Sequence, residues 1–191
     1  MNAPLPDNEA ERLAVLRGYQ ILDTAPDREF DLVTALASRI CGTPIALISL
    51  VDERRQWFKS NVGLNVSETN RNVAFCGYAI LQREVLQVSD AKADKRFADN
   101  PLVTGNPHIR FYAGAPLVTE NGLALGTVCV LDQKPHTLTK EQQESLTLIS
   151  QLTMSLLDFR KKLREISKVA SEREWLISEL KRTADKKDGA S

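Results

Sequence analysis

Only two histidines, His108 and His136, occur in the 191 residues. They lie far apart, with no cysteine or acid at metal-ligand spacing, so no metal site is expected. The three cysteines, Cys41, Cys76 and Cys129, are an odd, scattered set. That argues against a disulfide framework and for a reduced, cytoplasmic protein. No apolar run approaches the ~20 residues of a membrane span, and Ile45 to Val51 has only strand length. The opening residues, MNAPLPDNEAER, lack the apolar core of a secretory signal. Neither charge is in excess: 25 basic side chains balance 25 acidic ones, so the basic face that nucleic acid requires is not expected. No serine–histidine–acid order, phosphate loop, paired-carboxylate motif or internal repeat stands out. These absences point to a non-catalytic globular chain, and its length fits one domain plus an extension.

What is present centres on Phe111 to Asp132, FYAGAPLVTE-NG-LALGTVCVLD. Both arms are rich in apolar and β-branched residues, and Asn121-Gly122 between them predicts a tight hairpin turn. Small residues at Ala113, Gly114, Ala115 and Gly126 would let a helix or a ligand approach the strands closely.

Before the hairpin, residues 1–8 are polar and proline-bearing and are expected to be disordered. A short helix is expected over 9–20. A second, from about Asp27 to Cys41, carries Phe30, Val33, Leu36, Ala37 and Ile40 at helical spacing and ends at Gly42. Residues 44–51 read as a strand buried on both faces, and Gln56 to Val62 as its partner. The pattern then weakens. A short helix is expected near Phe75 to Leu81, a strand at Glu84 to Ser89, and another short helix at Arg96 to Leu102.

After the hairpin, Thr139 and Gln142 form a capping-box pattern. The helix they open shows two heptad series, Ile149, Leu156, Leu163, Ala170, Ile177 and Leu152, Phe159, Ile166, Arg173, Leu180. These predict a coiled-coil dimer seam in which Arg173 either fixes register or lies at a frayed end. At ~1.5 Å per residue, 40 residues span roughly 60 Å, longer than a small domain. The expected boundaries are 9–160 for the domain, 161–182 for the coiled coil and 183–191 for a disordered tail.

Six strings, ILDTAPDREFD, ALISLVDERRQWFKS, AFCGYAI, DKRFADNPLV, IRFYAGAPL and LGTVCVLD, closely resemble the GAF domain of bacterial signalling proteins. The likeness is to the subgroup that stands in front of sensor histidine kinases and diguanylate cyclases. It implies an α/β (α+β) fold: a six-stranded antiparallel sheet with helices on both faces, and a long C-terminal signalling helix. It also implies a pocket under the irregular middle segment. The chain departs from that pattern by ending before any output region. Output in trans, or a missing output domain, is therefore expected.

Candidate ligand contacts are Trp57, Phe75, Cys76, Tyr78, Asp94, Arg96, Phe97, Asn100, Arg110, Phe111 and Tyr112. The aromatics suit a pocket wall, and strand alternation allows only one of Phe111 and Tyr112 to face it. Arg96 could hold an anion or pair with a neighbouring acid. Arg110 could be a ligand counter-ion or cap the sheet edge. Cys76 reads either as a redox or tetrapyrrole-attachment thiol or as a buried small hydrophobe. Gly77 stands where chromophore-binding relatives usually place histidine, which argues against a bilin. The asparagine–lysine–phenylalanine–acidic signature of cyclic-nucleotide binders is missing. No cofactor is named by the sequence. The reading is a non-catalytic, homodimeric sensor of a small molecule. Its alternatives are a ligand-free dimerisation module and a redox enzyme resembling free methionine sulfoxide reductase.

Overall fold

The computed structural model describes residues 3–188, and the side chains of all of these except 181 and 183–188. Two helices, α1 (Glu9–Tyr19) and α2 (Arg28–Cys41), lead into β1 (Ile45–Val51) and β2 (Arg55–Val62). The middle segment holds a short strand, β3 (Glu68–Asn70), a 3-10 turn at Arg71–Val73, the four-residue helix α3 (Cys76–Ala79), β4 (Leu86–Val88) and α4 (Pro101–Thr104). The hairpin β5 (Phe111–Val118) and β6 (Ala124–Asp132) follows, then α5 (Lys140–Asp188). The six strands form one antiparallel sheet in the order β3-β2-β1-β6-β5-β4. β1 and β6 sit in its middle, where both faces are covered and apolar residues dominate, as burial on both sides requires.

One face is set by alternation. Leu47 pairs with Cys129 and Ile45 with Leu131, while Leu131 pairs in turn with Tyr112 and Cys129 with Gly114. These side chains point to the middle segment and share a core with Phe58, Phe75, Cys76, Phe97 and Ile109. The opposite face meets the helices. A shift in the β1–β2 register leaves Lys59 as the extra residue, as in a bulge. Lys59 and Ser60 then both reach the α2 side, with Lys59 Nζ donating to the Ala25 carbonyl (2.7 Å) and Ser60 Oγ to Asp31 Oδ1 (2.6 Å).

Local signals hold at several element ends. Gly42 caps α2 with φ 64°. At the start of α5, the Thr139 N–H donates to Gln142 Oε1 (2.9 Å) and the Gln142 N–H to Thr139 Oγ1 (3.2 Å). Other expectations are corrected. The hairpin turn is wider than a two-residue one: Thr119 N–H donates to the Leu123 carbonyl, and of Asn121-Gly122 only Gly122 has positive φ, at 82°. The helix expected at Arg96 to Leu102 starts instead at Pro101. Asp94 accepts from the Arg96 N–H and Asn100 from the Leu102 N–H, and such short-range bonds compete with helix formation. On α2 the buried residues are Phe30, Val33, Thr34, Ala37 and Cys41, whereas Leu36 and Ile40 are exposed.

The chain divides into residues up to Ser155 and a second unit from Leu156. Within the first, α5 buries Leu146, Ile149, Ser150, Thr153 and Met154, and Ser150 Oγ donates to the Pro116 carbonyl (2.5 Å). Ile149 therefore belongs to the domain core, which corrects its place in the dimer seam. Leu152 is exposed. In the second unit Leu156 is half-buried, and Phe159, Leu163, Ile166, Ala170, Arg173, Ile177 and Leu180 are exposed. The helical backbone continues through Asp188, where a disordered tail was expected from 183. Residues 1–2 and 189–191 of the expected disordered ends lie outside the described residues. Among the described residues, no helix is long and apolar enough to cross a membrane.

Candidate functional site

A partly enclosed cavity of about 390 Å³ lies between the sheet and the middle segment. Its floor is Ile45, Leu47, Phe58, Tyr112, Cys129 and Leu131, and Phe75 and Cys76 come from the residues that open α3. Leu64, Val66, Leu102, Pro107 and Ile109 extend the apolar wall, while Gln56, Asn65, Thr69, Asn106 and Gln133 supply neutral polar groups. No Asp, Glu, Lys, Arg or His side chain is among these lining residues. Such a wall, apolar with a few amides, suits a small uncharged molecule.

The sequence candidates divide on this geometry. Phe75, Cys76 and Tyr112 line the cavity. Phe97 stacks on Phe75 (4.1 Å between centroids) and Tyr78 meets Phe97 edge-on, so both stand behind the wall. Trp57 pairs with Leu50 and so points to the helical face, while its neighbour Phe58 faces the cavity. Phe111, opposite in parity to Tyr112, meets His136 on the other side of the sheet. Asp94 and Arg96 pair with each other (2.6 Å), and Arg110 pairs with Asp90 (2.7 Å). Neither arginine lines the cavity. Asn100 is buried and structural, capping α4 and donating to the Val73 carbonyl (2.9 Å).

Sequence reasoning missed Leu47, Phe58, Cys129 and Leu131. Strand parity within the hairpin was the available signal for Cys129 and Leu131, which share a sheet face with Tyr112; Leu47 and Phe58 join that face only through the pairing of β1 with β6 and β2.

Around Cys76 the polar groups converge. Thr127 Oγ1 donates to its Sγ (3.1 Å), Tyr112 Oη donates at 3.4 Å, and Cys129 Sγ lies 3.9 Å away. Burial opposes a thiolate at Cys76, but these donors outweigh it and favour the charged form there. Burial, and the neighbouring Cys76, push the Cys129 thiol up. Burial likewise raises Tyr112. Cys41, buried at the end of α2, is pushed up to about 11 by burial alone.

A second cluster braces the middle segment. Glu9 receives hydrogen bonds from Arg12 and Arg71, and Arg71 also donates to the Asp52 carbonyl (3.0 Å). Burial opposes charge on Glu9, but the two guanidinium groups hold its carboxyl at about 2. Among the described residues, no group of three or more His, Cys, Asp or Glu side chains is arranged to hold a metal ion.

Known proteins share this fold. The chain is 48% identical over 133 residues to a cyclic di-GMP phosphodiesterase of Pseudomonas aeruginosa, a match that covers 70% of this chain and 23% of that protein. The expectation of a non-catalytic protein is therefore withdrawn, because this relative is named as an enzyme. Among solved structures, the GAF domain of an Acinetobacter phosphoenolpyruvate-protein phosphotransferase superposes with TM-score 0.59 at 16% identity, covering 81% of this chain and 95% of that one. The free methionine-R-sulfoxide reductase of Neisseria meningitidis, solved with its substrate, gives TM-score 0.59 at 14% identity, covering 85% and 98%. At those identities the likeness shows the fold alone. The GAF domain family model matches residues 25–157. With the sheet order, the roofed cavity and that match in agreement, the chain belongs to the GAF domain family.

Proposed function

We propose that this chain is a sensory, regulatory GAF module that binds a small uncharged molecule in the cavity and controls an enzyme of cyclic di-GMP turnover. The observation that carries the ligand reading is the cavity of about 390 Å³ whose wall contains no charged side chain. The identity to a cyclic di-GMP phosphodiesterase supports the enzymatic connection. Because the match spans 23% of that enzyme, the activity of the whole protein is part of the proposal. Histidine kinase or diguanylate cyclase regions are the other outputs the reading allows, in cis or in trans. A ligand that prefers one position of the middle segment shifts the population of states, by no more than its difference in affinity for them. The exposed apolar residues of α5, Leu152, Phe159, Leu163 and Ile166 among them, support a homodimer that transmits the change.

The test is native mass spectrometry of the purified chain combined with a thermal-shift screen of neutral fragments, repeated on Leu64→Trp. Binding by the wild type that is lost in the variant supports the reading. A wild-type chain that carries no ligand and responds to no fragment counts against it. Cyclic di-GMP levels in the source organism that do not change when the gene is removed would count against the enzymatic connection.

A further inference from the structure

Cys76 and Cys129 are separated by 53 residues in sequence, yet their sulfurs lie 3.9 Å apart and both residues line the cavity. The pairing follows from the fold. Cys129 faces the cavity from the central strand β6, beside Leu47 and Gly114. Cys76 opens α3, with its sulfur held over Thr127 and Tyr112. Cys41 is buried in α2 and does not line the cavity. We infer that Cys76 and Cys129 form a redox-active dithiol site for hydroperoxides, oxidised reversibly to a disulfide.

The chemistry balances with a hydroperoxide as oxidant. The Cys76 thiolate attacks the terminal peroxide oxygen; an S–O bond forms as the O–O bond breaks. The departing oxygen takes up the proton that Cys76 released, giving an alcohol, or water from hydrogen peroxide. Cys76 is now a sulfenic acid and the peroxide is reduced. The Cys129 sulfur then attacks the Cys76 sulfur. The S–S bond forms, and hydroxide leaves with the Cys129 proton as water. Thr127 and Tyr112 hydroxyls already aim at the sulfur and favour its thiolate, the reactive form. The apolar wall admits a neutral organic hydroperoxide more readily than an ion.

Forming the bond brings the sulfurs from 3.9 Å to about 2 Å. β6 is held between β1 and β5, so the shift falls to the four-residue helix α3. Oxidation thereby pulls the roof toward the sheet and narrows the cavity. That consequence rests on the sensing reading above; formation of the disulfide does not.

The reduced full chain is treated with cumene hydroperoxide and, separately, with hydrogen peroxide, and its peptides are mapped by mass spectrometry. The expected product has lost two hydrogen atoms, contains a linked Cys76–Cys129 peptide, and reverts with dithiothreitol. Oxidation at Cys76 is expected to outpace that at Cys41 by at least about tenfold, with the organic peroxide the faster reagent. In Cys129→Ser, dimedone traps a sulfenic acid at Cys76; in Cys76→Ser, neither product forms. Wild-type mapping decides the matter even if a variant fails to fold. Oxidation first at Cys41, or a native chain whose Cys76 and Cys129 stay reduced while the urea-unfolded chain reacts, overturns the inference. A chain that binds fragments but forms no disulfide defeats only this inference, and a disulfide without fragment binding defeats only the ligand reading.

Discussion

Gly114 makes room for the phenol of Tyr112. A Cβ at Gly114 would fall 2.7 Å from Tyr112 Cζ and closer still to its hydroxyl oxygen. The missing side chain lets the ring lie along β5, so that its hydroxyl reaches Cys76 at 3.4 Å. The space left by Gly114 thus holds a donor to the sulfur. Gly114→Ala is expected to cost about 1–3 kcal/mol, as overpacking of a filled core does, read by urea denaturation. Tyr112→Phe removes only the hydroxyl and should move the pH profile of Cys76 alkylation upward, because one donor to the thiolate is gone. An unchanged profile in Tyr112→Phe would show that the phenol does not tune the thiol.

Asn100 ties α4 to the 3-10 turn through two bonds, from the Leu102 N–H and to the Val73 carbonyl. The residue is only 4% exposed. Asn100→Ala leaves both backbone groups short of a partner and is expected to cost about 1–3 kcal/mol. Hydrogen exchange should quicken at Leu102 before it does in β1 or β6. Uniform protection across the variant would argue against a local brace.

Glu9 sets an acid limb of stability. Its carboxyl is held at about 2 in the folded chain against the usual 4.5, so folding favours the ionised form. The contribution is fully present above pH 4.5 and is lost as the pH falls toward 2. It amounts to roughly 3 kcal/mol at most. Glu9→Gln should lower stability at neutral pH and flatten the stability profile across that acid window. Parallel profiles for the two proteins would refute the assignment.

Phe159 is 61% exposed on α5. If the proposed dimer uses this helix, Phe159→Glu should weaken it at least about tenfold, since a charge in a buried seam is costly. Light scattering coupled to gel filtration reads the result. A wild-type chain that is already monomeric at all accessible concentrations removes the dimer from the proposal.

Much of the architecture was legible from neighbouring residues. Thr139 with Gln142 marked the start of α5, Gly42 the end of α2, and alternation sent Tyr112 and Phe111 to opposite faces. Each of these depends on hydrogen bonds or periodicity within a few residues, which a sequence carries directly. The six motif strings carried the family as well. Tertiary structure decided the rest. Ile149 fits the heptad seam by spacing, but the Ser150–Pro116 bond turns its side of α5 into the domain. Trp57 and Phe58 could not be assigned to faces until the β1–β2 register was known. β3, three residues long, exists only because β2 offers it an edge. The sulfurs of Cys76 and Cys129 meet only when the middle segment closes over β6. Such contacts join residues far apart in the chain through strand register and packing, and neither quantity is written in any local pattern.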